Sequence, residues 1–156
     1  MQNLVITILP VLLGVLLLIA AWGDWRTRTI PETINAGIAL LAPAWWWATN
    51  LSLWPGIPIQ FALAGIIFAL GAGLFALGAM GGGDVKLLTA LALWLPPIPL
   101  LTMLVIMSLA GGVLTLGMLI AHKIRKSQDE LEIPYGIAIA LGGLVIFAER
   151  YLNHFA

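Results

Sequence analysis

The chain has 156 residues, 62% of them hydrophobic and 9% charged, with a formal net charge of zero and a mean hydropathy of +1.07. So little charge cannot cover a soluble domain of this length, and a neutral chain offers no basic footprint for nucleic acid. The absence of cysteine excludes a disulfide framework, a CxxC zinc site and a thiol nucleophile.

The apolar residues come in long blocks rather than in the half-polar stripe of a surface helix. A helical crossing of hydrocarbon takes roughly 20 such residues, and lipid offers no partner for a free N–H or C=O. The blocks lack the apolar–polar alternation of a membrane barrel.

The first block is Leu4 to Trp22. It has no basic flank before it and is long for a signal-peptide core, so it reads as a retained helix. A polar segment, Gly23 to Thr29, leads to the second block, Pro31 to about Ala48. A Trp- and Pro-rich turn from Trp45 to Pro58 precedes the third, Ile59 to Met80. Gly81, Gly82, Gly83 and Asp84 come next. The fourth block, Val85 to Leu95, stops at Pro96-Pro97. As a helix it would span only about 16 Å, so bilayer thinning or extended chain from Pro96 to Pro99 must complete a crossing. The fifth block is Ile98 to Ala121, and a charged loop from His122 to Glu132 separates it from the sixth, Pro134 to about Tyr151. The expectation is an all-α membrane protein: a bundle of six transmembrane helices forming a single membrane-embedded domain over residues 1–156.

Basic residues stay cytoplasmic. Arg26 and Arg28 follow the first block, Lys86 the third, and Lys123, Arg125 and Lys126 the fifth. If every block crosses, all lie on one side, which places both termini outside; Arg150 alone falls opposite. Trp45, Trp46, Trp47, Trp54 and Trp94 are then expected in the outer interfacial belt, with Trp22 and Trp25 in the inner one.

Few acids could carry chemistry. Asp129, Glu130 and Glu132 sit in the charged loop, with His122 at its start, and Glu149 and His154 belong to the last helix and the tail. Thr29-x-x-Glu32 matches a capping box for the second helix. Asp24 and Asp84 differ from these: each follows an odd-numbered helix, so both face the same membrane boundary. Two carboxylates that approach one another share a proton. One can then deprotonate water while the other polarises a carbonyl and protonates the leaving amine. Without that chemistry, Asp84 would simply cap the fourth helix and Asp24 would be an interfacial acid beside Arg26 and Arg28. The run Gly81 to Gly83 is costly in a helix, and is expected to let a substrate backbone come close to Asp84.

Gly81-Gly82-Gly83-Asp84-Val85-Lys86 resembles the GxGD motif of the type IV prepilin leader peptidases, and Asp24-Trp25-Arg26-Thr27-Arg28-Thr29-Ile30-Pro31 resembles their first aspartate, basic loop and Ile-Pro. Pro134-Tyr135-Gly136-Ile137-Ala138 looks like the start of the family's last helix and is assigned no catalytic role. Glu32 stands where the family usually has Asn. The chain lacks the cysteine-bearing cytoplasmic insert of the larger bifunctional members, so it resembles the small peptidase-only form that serves Flp (tight-adherence) pili. The resemblance implies an aspartic endopeptidase of the bacterial inner membrane, with its active site toward the cytoplasm. Asp24 and Asp84 would be the catalytic pair, a prepilin or pseudopilin precursor the substrate, and no cofactor or metal would be used. Intramembrane acids and glycine-broken helices also suit a small proton-coupled transporter, and a non-catalytic assembly subunit of a secretion machine is the third reading.

Overall fold

The structure, a computed structural model, describes residues 2–125 and 133–155. Among them are six helices and no strand: α1 (Gln2–Thr27), α2 (Glu32–Ala48), α3 (Gly56–Ala76), α4 (Gly82–Ala92), α5 (Pro97–Arg125) and α6 (Tyr135–Phe155). Most of the charged loop, including Asp129, Glu130 and Glu132, lies outside the described residues.

Three of the six helices are long and apolar enough to cross a membrane: Leu4–Thr27, Gly56–Ala76 and Pro97–Ile124. Large apolar side chains such as Leu18, Ile66 and Leu109 point outward from them, as a lipid solvent allows. The expectation of six crossings is therefore met in part. Helix α2 has 17 residues and α4 has 11, and the apolar stretch of α6 runs from Tyr135 to Glu149 among the residues whose side chains are described.

The helix ends depart from the sequence reading for local reasons. Helix α1 does not stop at Trp22. It continues through Asp24 to Thr27, where the Arg28 N–H donates to Asp24 O at 3.1 Å. Helix α3 ends at Ala76 rather than Met80, because Gly78 takes a left-handed φ of 71°. The Gly78 N–H then donates to Phe75 O and the Ala79 N–H to Leu74 O, the paired bonds of a Schellman stop. Helix α4 begins at Gly82, so two of the three glycines are helical and Gly81 is the N-cap. The expected capping box of Thr29 and Glu32 is not formed: Pro31 is the N-cap of α2 and no side chain caps it. Glu32 reaches instead across to Lys86 of α4.

Helix α4 packs among α2, α3 and α6 and carries the centre of the core through the fully buried Leu87 and Leu91. A short helix ending inside a bundle leaves carbonyls with no water to take them. Side chains supply the donors. Trp46 Nε1 donates to Leu93 O at 2.7 Å and Trp45 Nε1 to Trp94 O at 3.2 Å. In its hydrogen-bonding orientation the buried Gln60 amide donates to Ala92 O and Leu95 O. Trp94, fully buried, stacks on Trp45 with ring centroids 5.7 Å apart and donates to Ile38 O. This corrects the expected aromatic belt. Trp45, Trp46 and Trp94 are core residues, while Trp47 and Trp54 are exposed. The reason is that an indole N–H is worth more beside an orphan carbonyl than at an interface where water competes.

Helices α5 and α6 run antiparallel, with Gly111 beside Tyr135 and Gly142 beside Met103. A Cβ at Gly142 would stand 3.0 Å from Met103 O, so glycine lets these backbones approach closely. Because α5 runs on to Arg125, it extends about 20 Å past the level at which α6 begins.

Candidate active site

The end of α1, the start of α2, the turn between α3 and α4, and the start of α6 meet at one end of the bundle. A cleft of about 250 Å³ opens there, lined by Asp24, Arg28, Thr29, Ile30, Glu32, Gly81, Gly82, Gly83, Asp84 and Lys86. Asp24 and Asp84, 60 residues apart in sequence, thus share one cavity, and both are nearly excluded from solvent at 5% and 7% exposure. The sequence reading singled out these two aspartates and the three glycines, and all five line the cleft.

Each aspartate is placed by a helix end. Asp24 lies in the last turn of α1 and faces the first turn of α6, where the Gly136 and Ile137 N–H groups act on its carboxylate. Its Oδ2 is nevertheless buried without a hydrogen bond of normal geometry. Asp84 occupies the first turn of α4, turned back toward the N–H of Gly81, and its Oδ1 is likewise buried and unpartnered. An unpaired buried carboxylate oxygen is costly. Burial foremost, and the Asp24 carboxylate second, push Asp84 up to about 7 against the opposing pull of the Gly81 N–H. Asp84 lies in α4, outside the three long membrane-spanning helices.

The glycines give these segments room. A Cβ on Gly83 would stand 3.3 Å from Ile30 Cβ and 3.5 Å from its backbone N. The loop after Asp24 can therefore lie directly on the glycine turn before Asp84, which brings the two carboxylates into one cleft. The buried Asn35 of α2 ties the same place from the other side, its Nδ2 donating to Gly83 O at 3.2 Å. At the cleft mouth the exposed Glu32 and Lys86 join α2 to α4, and Lys86 holds the Glu32 carboxyl below its ordinary range.

Two residues of the site escaped the sequence reading. A Cβ on Gly136 would lie 2.8 Å from Asp24 Oδ2 and 2.8 Å from Ile30 Cδ1, so any larger residue where α6 meets the first aspartate must push those two side-chain tips aside. Its signal was a glycine one residue inside a helix start, after Pro134. Asn35 was hidden in an apolar block, where an isolated buried amide could have been suspected of bonding to backbone.

The fold and the cleft together describe an all-helical protein, three of whose helices are long and apolar enough to cross a membrane, with two buried aspartates lining one cleft. The chain belongs to the type IV leader peptidase family, whose family model matches residues 11–116, a stretch holding both aspartates and all three glycines. No curated protein and no solved structure matches the chain.

Proposed function

We propose that this protein is an aspartic endopeptidase that removes the basic leader from type IV prepilin-like precursors at the cytoplasmic face of the bacterial inner membrane. The observation that carries the reading is the burial of Asp24 and Asp84 in one cleft with the glycine turn beside them. Family membership supports a precursor protein as substrate. The placement of Arg26, Arg28 and Lys86 at the same end of the bundle supports its facing the cytoplasm, where a basic leader would remain.

In the proposed reaction the pair holds one proton. Asp84 carries it, since burial beside a second carboxylate favours its neutral form. Asp24, which faces the N–H groups of Gly136 and Ile137 at the α6 start and the Arg28 charge, is assigned the ionised role in the pair. A water held between them loses a proton to Asp24 as its oxygen attacks the scissile carbonyl carbon, and the Asp84 proton moves to the carbonyl oxygen. Collapse of the tetrahedral intermediate breaks the C–N bond. The amine leaves with the proton taken up by Asp24, and the gem-diol returns a proton to Asp84, restoring the pair. The exposed glycine backbone gives an extended substrate segment room to lie beside the carboxylates.

The transporter and assembly-subunit readings predict no chemistry on a precursor. Incubating the purified protein with a prepilin and looking for a shortened product separates them. The parent is expected to cleave, and Asp24→Asn is expected to express, insert and bind precursor while losing activity by orders of magnitude. Cleavage by folded Asp24→Asn at the parent rate would remove the basis of the assignment.

A further inference from the structure

Of the two cations lining the cleft, Lys86 is paired with Glu32, while Arg28 acts on Asp24 through its charge but forms no ion pair among the described residues. Its backbone sits at φ 55°, a left-handed conformation that costs a side-chain-bearing residue energy and that glycine or asparagine adopts more readily. That conformation turns the chain out of α1 and carries the guanidinium into the cleft wall. There Nη1 is shut off from solvent and donates to nothing. Strain and an unsatisfied charged donor coincide in one residue, whose charge acts on Asp24 while its Nη1 is left without an acceptor. A free guanidinium donor held in a cleft is a site for an oxygen acceptor that arrives from outside.

We propose that Arg28 contacts the substrate, donating from Nη1 to an oxygen of the precursor chain next to the bond that is cut; this rests on the peptidase reading above. The acceptor is a main-chain carbonyl or an acidic side chain of the precursor, the two sources sharing one chemistry. The contact fixes the register of the extended segment over Asp24 and Asp84. Lysine cannot replace it, because a single flexible ammonium does not reproduce the planar fork.

The test compares the full-length protein with Arg28→Lys, Arg28→Gln and Arg28→Gly, measuring kcat and KM for precursor cleavage across a pH series. Arg28→Gly adopts the φ of this position without strain, so it preserves the loop if the other variants unfold. Loss of a charge-assisted hydrogen bond predicts a fall in kcat/KM of roughly ten- to a hundredfold at the optimum pH in all three variants. A second set of precursors, with each acidic residue near the cleavage point neutralised, identifies the acceptor. If one neutralised precursor is cut equally by the parent and by Arg28→Gly, the acceptor is that side chain. If every precursor loses the same factor with Arg28→Gly, the acceptor is the main chain. Recovery of kcat/KM to within twofold by Arg28→Lys would show that only charge near Asp24 matters and would overturn the proposal. So would variants that match the parent at the optimum and differ only in a displaced pH profile. A parent that cleaves no precursor fails the peptidase reading and this proposal together, whereas an active parent with indifferent Arg28 variants fails this proposal alone.

Discussion

Replacing Asp84 by asparagine sets two energies against each other. The carboxyl is pushed from an ordinary 3.8 to about 7, first by burial and then by Asp24. A group whose folded value is raised contributes stability that is fully present below the unfolded value and is lost as pH rises through the folded one. The native protein therefore loses stability between about pH 4 and pH 7, as Asp84 ionises more easily in the unfolded chain. The difference between 3.8 and about 7 converts, at about 1.4 kcal/mol per tenfold, to a ceiling of about 4 kcal/mol. Asparagine cannot ionise and escapes this loss. Against that, the ionised side chain sits in the first turn of α4, where a negative charge gains about 0.3–1 kcal/mol from the helix N-terminus. Desolvation wins. Asp84→Asn is expected to stabilise the protein above pH 7 by several degrees in thermal unfolding in detergent, to do so far less at pH 4, and to abolish cleavage. Scans of both proteins at pH 4 and pH 8, with precursor cleavage assayed alongside, measure it. An equal difference in Tm at the two pH values would refute the assignment of a buried, proton-holding carboxyl; near-parent cleavage would leave Asp84 no more than a helix-start residue.

The same value shapes catalysis. The plot of kcat/KM against pH should be bell-shaped and fall on its alkaline side near about 7 as the pair loses its shared proton; a flat profile to pH 9 with the fold intact would speak against a shared proton. Gly136→Ala drives a methyl group into Asp24 Oδ2 and Ile30 Cδ1. It should cost about 1–3 kcal/mol in stability and reduce cleavage by at least tenfold, and parent-like activity would show that the α6 start does not set the position of Asp24. Glu32→Gln breaks a solvent-exposed pair with Lys86. It should leave the unfolding temperature close to that of the parent and cleavage within a fewfold of it, so a large loss in kcat would place Glu32 in the chemistry.

Much of this protein was legible in its order of residues. Hydropathy is a local property, so the apolar blocks and their helical state could be read directly. The aspartates stood out because an unsolvated carboxylate is expensive and therefore rare in such a chain. The glycines before Asp84 read as room for a substrate backbone, and in the fold Gly83 also takes the close approach of another part of the chain. The partner in that approach was not readable: it is Ile30, of the loop after Asp24, and only the pairing of two distant turns brings it there. Helix ends were misjudged wherever a polar residue was taken for a loop. Asp24 lies within α1 because a helix end tolerates charge when its carbonyls are used. The tryptophans show the limit most clearly. Lipid and a protein interior are both apolar, so hydropathy cannot say which of them a side chain faces. Trp45, Trp46 and Trp94 turn inward because α4 ends early and leaves carbonyls that water cannot reach, and a side chain at Gly136 would press on the Asp24 carboxyl because α6 starts against it. Both constraints arise between segments far apart in the chain, and the tertiary structure alone sets them.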